Sequence, residues 1–356
     1  MNIPETMRAA VLFDFNDVRM TDRPVPTPGP GEVLVKIEAC GVCAGDIKII
    51  TKGMPKQPPM GEFIIGHEYA GTIVSLGETV DEYKVGDRVA VEVHKGCGRC
   101  RNCIMGKYTV CLNYGNSAKG HRANGFTTNG GFAQYAVNHV NTLLKLPDMI
   151  SIDEATTITT AGTSLYGIDI AGGYIPGDTV AVLGPGSIGL MAIQCSKALG
   201  AGQVILTGTR DNRLALGGKL GADHVINVKK TDPVEKVKAL TGGVGADFVL
   251  VASGQEASLQ QALEMTRKGG DITVLAHFEK PVMTDIGLAV KNGINLYTVR
   301  GEGRMSCHRA LSLMEEGKIN GEALITHTFP LENINEALET FVGRHDDALK
   351  VVVHPC

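Results

Sequence analysis

Four cysteines, Cys97, Cys100, Cys103 and Cys111, fall in the run C-G-R-C-R-N-C-I-M-G-K-Y-T-V-C. Four thiolates on one short loop are what a closed tetrahedral zinc site needs, and a closed site holds structure without doing chemistry. An iron–sulfur run would place its fourth Cys sooner and follow it with Pro, whereas Cys111 comes late and precedes Leu112. Upstream, Cys43 and the pair His67-Glu68 form a second, more open set of zinc-type ligands. Downstream lies the turn Gly184-Pro185-Gly186-Ser187-Ile188-Gly189. An open metal site polarises a substrate oxygen, and a dinucleotide exchanges hydride. Together, in this order, they point to metal-assisted hydride transfer.

The glycine turn gains weight from its context. It follows the apolar run Thr179 to Leu183 and opens the apolar stretch Ile188 to Leu199, the strand-to-helix setting a dinucleotide loop requires. Gly184 permits the tight turn, Gly186 lets backbone approach the pyrophosphate, and Gly189 lets helix and strand pack closely. Ser187 and Ile188 then sit at a helix N-terminus, whose amides and partial positive charge favour phosphate. The residue after the second strand discriminates the cofactors: an acid suits NAD, an Arg the 2′-phosphate of NADP. Here the segment is Thr207-Gly208-Thr209-Arg210-Asp211-Asn212-Arg213. Gly208 stands where the acid is expected, and Thr209, Arg210 and Arg213 offer phosphate donors. The segment favours NADP, with Asp211 as the residue that would instead favour NAD.

These groups need two kinds of scaffold. Met7–Leu12, Glu32–Ala39, Tyr69–Val74, Arg88–Val91 and Phe132–Val137 read as short strands between Gly/Pro turns, the pattern of a small barrel-like β domain. Beyond residue 155 the rhythm becomes β-α-β, with strands at 179–183, 203–207, 224–227, 248–251 and 272–275 and helices at 188–199 and 213–220, as in a doubly wound parallel sheet. A last helix is expected at 308–316 and an edge-like strand at 349–353. The expected domains are 1–158, completed by 299–356, and a dinucleotide-binding domain at 159–298.

Composition excludes several classes. The 356 residues are 43% hydrophobic and 20% charged with net charge −4, so no basic surface suggests nucleic acid and no apolar run reaches a membrane span. Residues Met1 to Arg8 lack a basic start followed by an apolar core, so a reducing cytoplasm and metal binding are expected in place of disulfides. Cys195 and Cys307 read as core thiols, Cys356 as a free terminal one, and His94, His121 and His277 as background.

The combination resembles the zinc-containing medium-chain alcohol/polyol dehydrogenases, the group with sorbitol and threonine dehydrogenases. The resemblance covers nearly the whole chain through Gly41-Val42-Cys43, Gly66-His67-Glu68, Val85-Gly86-Asp87-Arg88-Val89, the four-Cys loop, Gly130-Gly131-Phe132-Ala133-Gln134-Tyr135 and the glycine turn. The string Glu38 to Lys48 is most similar to the tetritol branch. The resemblance implies an α/β protein, a GroES-like β-barrel catalytic domain plus a Rossmann domain with the active site in the cleft between them. It implies oxidation of a secondary alcohol or polyol with NAD(P), the alternatives being a threonine-type amino alcohol or a non-catalytic dinucleotide-binding protein. It further implies a small-molecule substrate and a homo-oligomer, dimer or tetramer. Cys43 and His67 match catalytic zinc ligands, Glu68 the acid beside the metal, and Asp46 the carboxylate that orients the ligand His. This chain departs from the family twice. Gly45 stands where a Ser or Thr proton relay is usual, and Thr160 where a third ligand, Cys or Glu, is usual. A neutral Thr is a poor zinc ligand, so Glu68 is expected to complete the set. Both departures are expected to widen and neutralise the pocket.

Overall fold

A computed structural model describes residues 3–303 and 305–356. The described residues divide into two compact units: 3–159, 302–303, 305–311 and 321–356 form the first, and 160–301 and 312–320 the second. Among the described residues no helix is long and apolar enough to cross a membrane.

The first unit is built on antiparallel strands. Glu32–Val42 is its organising strand, long and almost wholly buried. One edge pairs with Glu68–Leu76, placing Gly41 opposite Glu68. The other edge is shared: residues 32–36 pair with Tyr135–His139, and residues 40–42 with the C-terminal strand Lys350–His354. The main path of strands runs open from Leu143–Lys145 to Ile325–Pro330, and pairing alone does not close it into a barrel. Val33, Val35, Ile37, Phe63, Ile73, Phe132, Val351 and Val353 fill a shared, buried core; each such side chain contributes about 1.5–3 kcal/mol on burial.

The second unit is a six-stranded parallel sheet. Its strand order is His224–Asn227, Gln203–Gly208, Thr179–Leu183, Ala246–Val251, Thr266–Val274 and Asn295–Thr298. All its neighbours run parallel, and the order reverses beside Thr179–Leu183, the switch point at which such sheets bind ligands. The central strands Thr179–Leu183 and Ala246–Val251 are buried on both faces and read as continuous apolar runs, as parallel sheets require.

Candidate active site and cofactor loop

Cys43 is the N-cap residue of the helix Ala44–Lys52, in extended conformation at φ −128° and ψ 156°. That helix was not foreseen from the sequence. It positions the centre through Asp46, which is completely buried. Asp46 Oδ2 accepts from the Cys43 backbone N–H at 2.9 Å, and Asp46 Oδ1 accepts from His67 Nδ1 at 2.9 Å. One carboxylate therefore orients both candidate ligands. Because Nδ1 gives its proton to Asp46, Nε2 keeps its lone pair for a metal. Burial disfavours a charged His67, but the Asp46 carboxylate and Cys43 outweigh it and hold the imidazole well above its usual range.

Cys43, His67 and Glu68 each bring one ligand atom within 4.8 Å of the others. This donor set, sulfur, imidazole nitrogen and carboxylate oxygen, fits zinc with a position left over. Glu68 is also held from behind. Its Oε2 accepts from Lys350 Nζ at 2.5 Å, and both side chains are buried. Gly41 makes room for this contact, since a Cβ there would lie 3.1 Å from Glu68 Oε2 and 3.5 Å from Lys350 Cδ. Lys350 carried no local signal in the sequence; only the pairing of the C-terminal strand with residues 40–42 brings it here.

The packing around Gly45 is close. A Cβ at Gly45 would stand 3.0 Å from His67 Cε1 and 3.4 Å from Phe126 Cζ. The Phe126 ring, 4.6 Å centroid to centroid from His67, occupies that side. Thr160 is buried in the helix Ile158–Ile170, where its carbonyl accepts from Ser164 Oγ at 3.0 Å.

The four-Cys loop also fits a metal. The sulfurs of Cys97, Cys100, Cys103 and Cys111 lie within 4.8 Å of one another. The Cys97–Cys103 and Cys100–Cys111 separations are both 3.9 Å, near the edge of roughly 3.8 Å that ~2.3 Å zinc–sulfur bonds give a tetrahedron. Asn113 Nδ2 donates to Cys97 Sγ at 3.2 Å, and the Asn113 and Cys103 amides donate to Cys111 and Cys100. Asn113 brings Cys97 down to about 6, while burial and the Cys100 contact push Cys103 up to about 12. The cluster ionises only in part by itself, and a dication is what allows four thiolates together. Every cysteine in the described chain is free of disulfides; Cys195 and Cys307 are buried core thiols and Cys356 is exposed, as their positions suggested.

In the second unit the glycine turn lies between the strand Thr179–Leu183 and the helix Ser187–Ala198, with Gly186 as N-cap. Gly184 has φ +108°, and a Cβ there would meet Ser253 at 2.9 Å. A Cβ on Gly189 would sit 1.9 Å from the Gly184 carbonyl, whereas Gly186 faces open space. Ser187 and Ile188 occupy the helix's first turn. Gly208 ends the neighbouring strand beneath Pro185, which would be 2.5 Å from a Cβ. Asp211 does not stand alone: its carboxylate accepts from Asn227 Nδ2 at 2.7 Å and Lys230 Nζ at 2.8 Å. Lys230 first, then Asn227, hold it below the usual carboxylate range. Thr209 is exposed, and Arg210 and Arg213 are partly buried at the start of the helix Asp211–Lys219.

Residues 29–148 match the alcohol dehydrogenase GroES-like domain, and residues 187–316 the zinc-binding dehydrogenase domain. Sorbitol dehydrogenase of Bacillus subtilis is 32% identical over 359 aligned positions, covering 99% of this chain and 98% of the relative. L-threonine 3-dehydrogenase of Bacillus licheniformis is 34% identical over 339, covering 93% and 94%. The crystal structure of a protein described as a zinc-binding dehydrogenase from Sinorhizobium meliloti 1021, bound to NADP, superposes with a TM-score of 0.89 at 25% identity, covering 99% and 100%. The chain belongs to the zinc-binding alcohol dehydrogenase family with a GroES-like domain.

Proposed function

We propose that this chain is a zinc-dependent oxidoreductase that moves hydride between a secondary alcohol or polyol and NADP. The observation that carries the reading is the double grip of Asp46 on Cys43 and His67. A carboxylate that aligns a thiol-bearing residue with an imidazole gives a metal's ligands the support they need. When bound, the zinc supplies Lewis acidity toward the substrate oxygen and the nicotinamide accepts the hydride.

The chain's own residues do the rest. Cys43 and His67 hold the metal, Asp46 fixes their orientation, and Glu68 supplies the third ligand in place of the neutral Thr160. Lys350 limits the charge Glu68 brings. Phe126, packed on His67, excludes water from one flank of the imidazole. The four-Cys loop carries a second, structural zinc. In this assignment 1–158 with 299–356 form the zinc-bearing domain and 159–298 the dinucleotide-binding domain. There Gly184, Gly186, Ser187, Ile188 and Gly189 receive the pyrophosphate at a helix N-terminus, and Gly208, Thr209, Arg210 and Arg213 receive the 2′-phosphate. Asp211, already engaged by Lys230, leaves that phosphate unopposed. The substrate is a small molecule and the working form a homo-oligomer in the cytoplasm.

A panel of sorbitol, threitol, 2,3-butanediol and L-threonine, followed by NAD and NADP reduction on protein of known zinc content, tests the reading. Turnover of at least one polyol, faster with NADP, is expected. Two bound zincs with no turnover on any member would overturn it. The threonine dehydrogenase similarity favours a second reading, an amino-alcohol substrate, and turnover of L-threonine alone would select it.

A further inference from the structure

The four-Cys loop and the Cys43–His67 centre lie in the same unit, and one turn joins them. Residues 96–121 leave and return through a two-residue antiparallel ladder, His94 opposite Ala123 and Lys95 opposite Arg122. A pair this short is marginal by itself, and like charges directly opposite weaken it further. Lys95 Nζ turns away to the Gly120 carbonyl at 3.0 Å, and Arg122 to the Glu32 carboxylate. The longer the free chain between two strands, the more entropy their pairing must overcome. A metal that ties Cys97 to Cys111 shortens that free chain, so the ladder depends on it.

The turn at 123–128 follows the ladder directly. The Ala123 carbonyl accepts from the Phe126 N–H at 3.0 Å and the Thr127 N–H at 2.8 Å, and Thr127 Oγ1 accepts from the Ala123 N–H at 3.0 Å. Asn124, 1% exposed, pins the turn to the chain that enters the four-Cys loop: its N–H donates to the Val93 carbonyl at 2.9 Å and its Nδ2 to the Glu92 carbonyl at 3.2 Å. The far side of the turn presses on the metal centre. A Cβ on Gly125, whose φ is +73°, would fall 2.3 Å from the Gly66 carbonyl oxygen and 3.0 Å from His67 Cβ. The Phe126 ring tilts at 49° against the His67 ring, centroids 4.6 Å apart. Behind it, His94 stacks at 19° and 6.3 Å, itself fixed by its Nδ1 on Glu302 Oε1 at 3.0 Å.

We propose that Phe126 is a positioning residue for the metal ligand His67, and that through it the four-Cys loop sets the metal affinity of the Cys43–His67 centre. This rests on the two-metal reading above. Asp46 holds one edge of the imidazole, at Nδ1, but a single hydrogen bond leaves the ring free to swing about it. Phe126 closes off that swing. Support of this kind behind a metal-bound imidazole governs affinity. Coupling between two binding sites is reciprocal, so an occupied Cys43–His67 centre strengthens the four-Cys metal by the same factor.

The test titrates a chelator into the full-length protein loaded with cobalt(II), whose sulfur-to-metal absorption distinguishes a four-thiolate site from a one-thiolate site. Phe126→Ala is expected to weaken the Cys43–His67 metal about tenfold or more. Phe126→Leu, which keeps apolar bulk beside the ring, should recover most of that affinity. Phe341, another half-buried ring packed on the same core, is the control: Phe341→Ala should lower Tm and loosen neither metal. By reciprocity, Cys43→Ser should release the four-Cys metal about tenfold more readily than wild type, whereas Phe126→Ala and the double variant Cys43→Ser/Phe126→Ala should release it alike. Three results overturn the proposal: Cys43–His67 affinity within about twofold of wild type in Phe126→Ala, an equal loss in Phe341→Ala, or four-Cys release unchanged by Cys43→Ser. If Phe126→Ala does not fold, the Cys43→Ser comparison decides, since it leaves Phe126 in place. Wild-type protein that binds a single metal would sink the functional reading itself, a result distinct from two metals released independently.

Discussion

Lys350 Nζ lies 2.5 Å from Glu68 Oε2, and both side chains are buried. A lone carboxylate buried beside a thiolate ligand would repel it. Glu68 instead carries its own counter-charge, from a strand at the far end of the sequence. The Lys350 ammonium, which burial disfavours, is kept charged by Glu68. The pair leaves the Glu68 charge compensated within the buried core. Glu68→Gln is expected to weaken metal affinity by roughly 10–100-fold. Lys350→Met, which strands Glu68 as an unpaired buried charge, is expected to cost about 3–5 kcal/mol of stability. Chelator titration and thermal melts read the two effects. A Glu68→Gln protein with unchanged metal affinity removes Glu68 from the ligand set.

The four-Cys loop is expected to behave as a folding element. Cys100→Ser should release one zinc and destabilise the first unit severely, because a structural zinc contributes on the order of 10 kcal/mol in small sites. Zinc analysis together with a thermal melt checks this. A Cys100→Ser protein that melts like wild type would show that the loop needs no metal.

Much of this was legible in the sequence, and the reason is local. The sulfurs of Cys97, Cys100, Cys103 and Cys111 converge because their ligand spacing is set within one loop. The glycine turn announced its strand and helix because Gly184 and Gly189 each answer a short-range steric demand. Long-range partners were not legible. Lys350 meets Glu68 across 282 positions and His94 meets Glu302 across 208, and no periodicity encodes either contact. His94 was therefore set aside as background. Gly45 is a related case: the closeness of Phe126, far along the chain, to this position has no local signal in the sequence. The helix Ala44–Lys52 was missed because its N-cap is a Cys, not a residue that signals a helix start.

Cofactor preference should follow charge at the end of the strand Gln203–Gly208. Arg210→Ala is expected to weaken NADP about tenfold or more, through loss of a charge-assisted contact, and to leave NAD little changed. Steady-state kinetics with both cofactors measures it. Wild-type kcat/KM favouring NAD, with Arg210→Ala silent, would mean that Asp211 releases Lys230 and takes the ribose.

Acid should destabilise the first unit through His139. Burial, then the neighbouring Lys95 and Arg122, push its imidazole down to about 4, and its Nδ1 accepts from the Asn141 N–H, as only a neutral ring can. The unfolded chain, with His near 6.5, binds more protons between about 4 and 6.5. Stability from this group is therefore present above pH ~6.5 and is lost as pH falls toward ~4. His139→Gln is expected to flatten the fall of Tm across that window, and an unaltered slope would exclude His139 as its source.

The central claim is that the metal held by Cys43 and His67 performs the reaction while the four-Cys metal holds the fold. Cys43→Ser tests it in one preparation, by zinc content, Tm and polyol-dependent NADP reduction together. The expected protein binds one zinc in place of two, melts within a few degrees of wild type, and has lost turnover by at least about 10³-fold, as removal of a Lewis acid worth several kcal/mol requires. A Cys43→Ser protein that still reduces NADP at a wild-type rate, or that unfolds as readily as Cys100→Ser, contradicts the division of labour between the two sites.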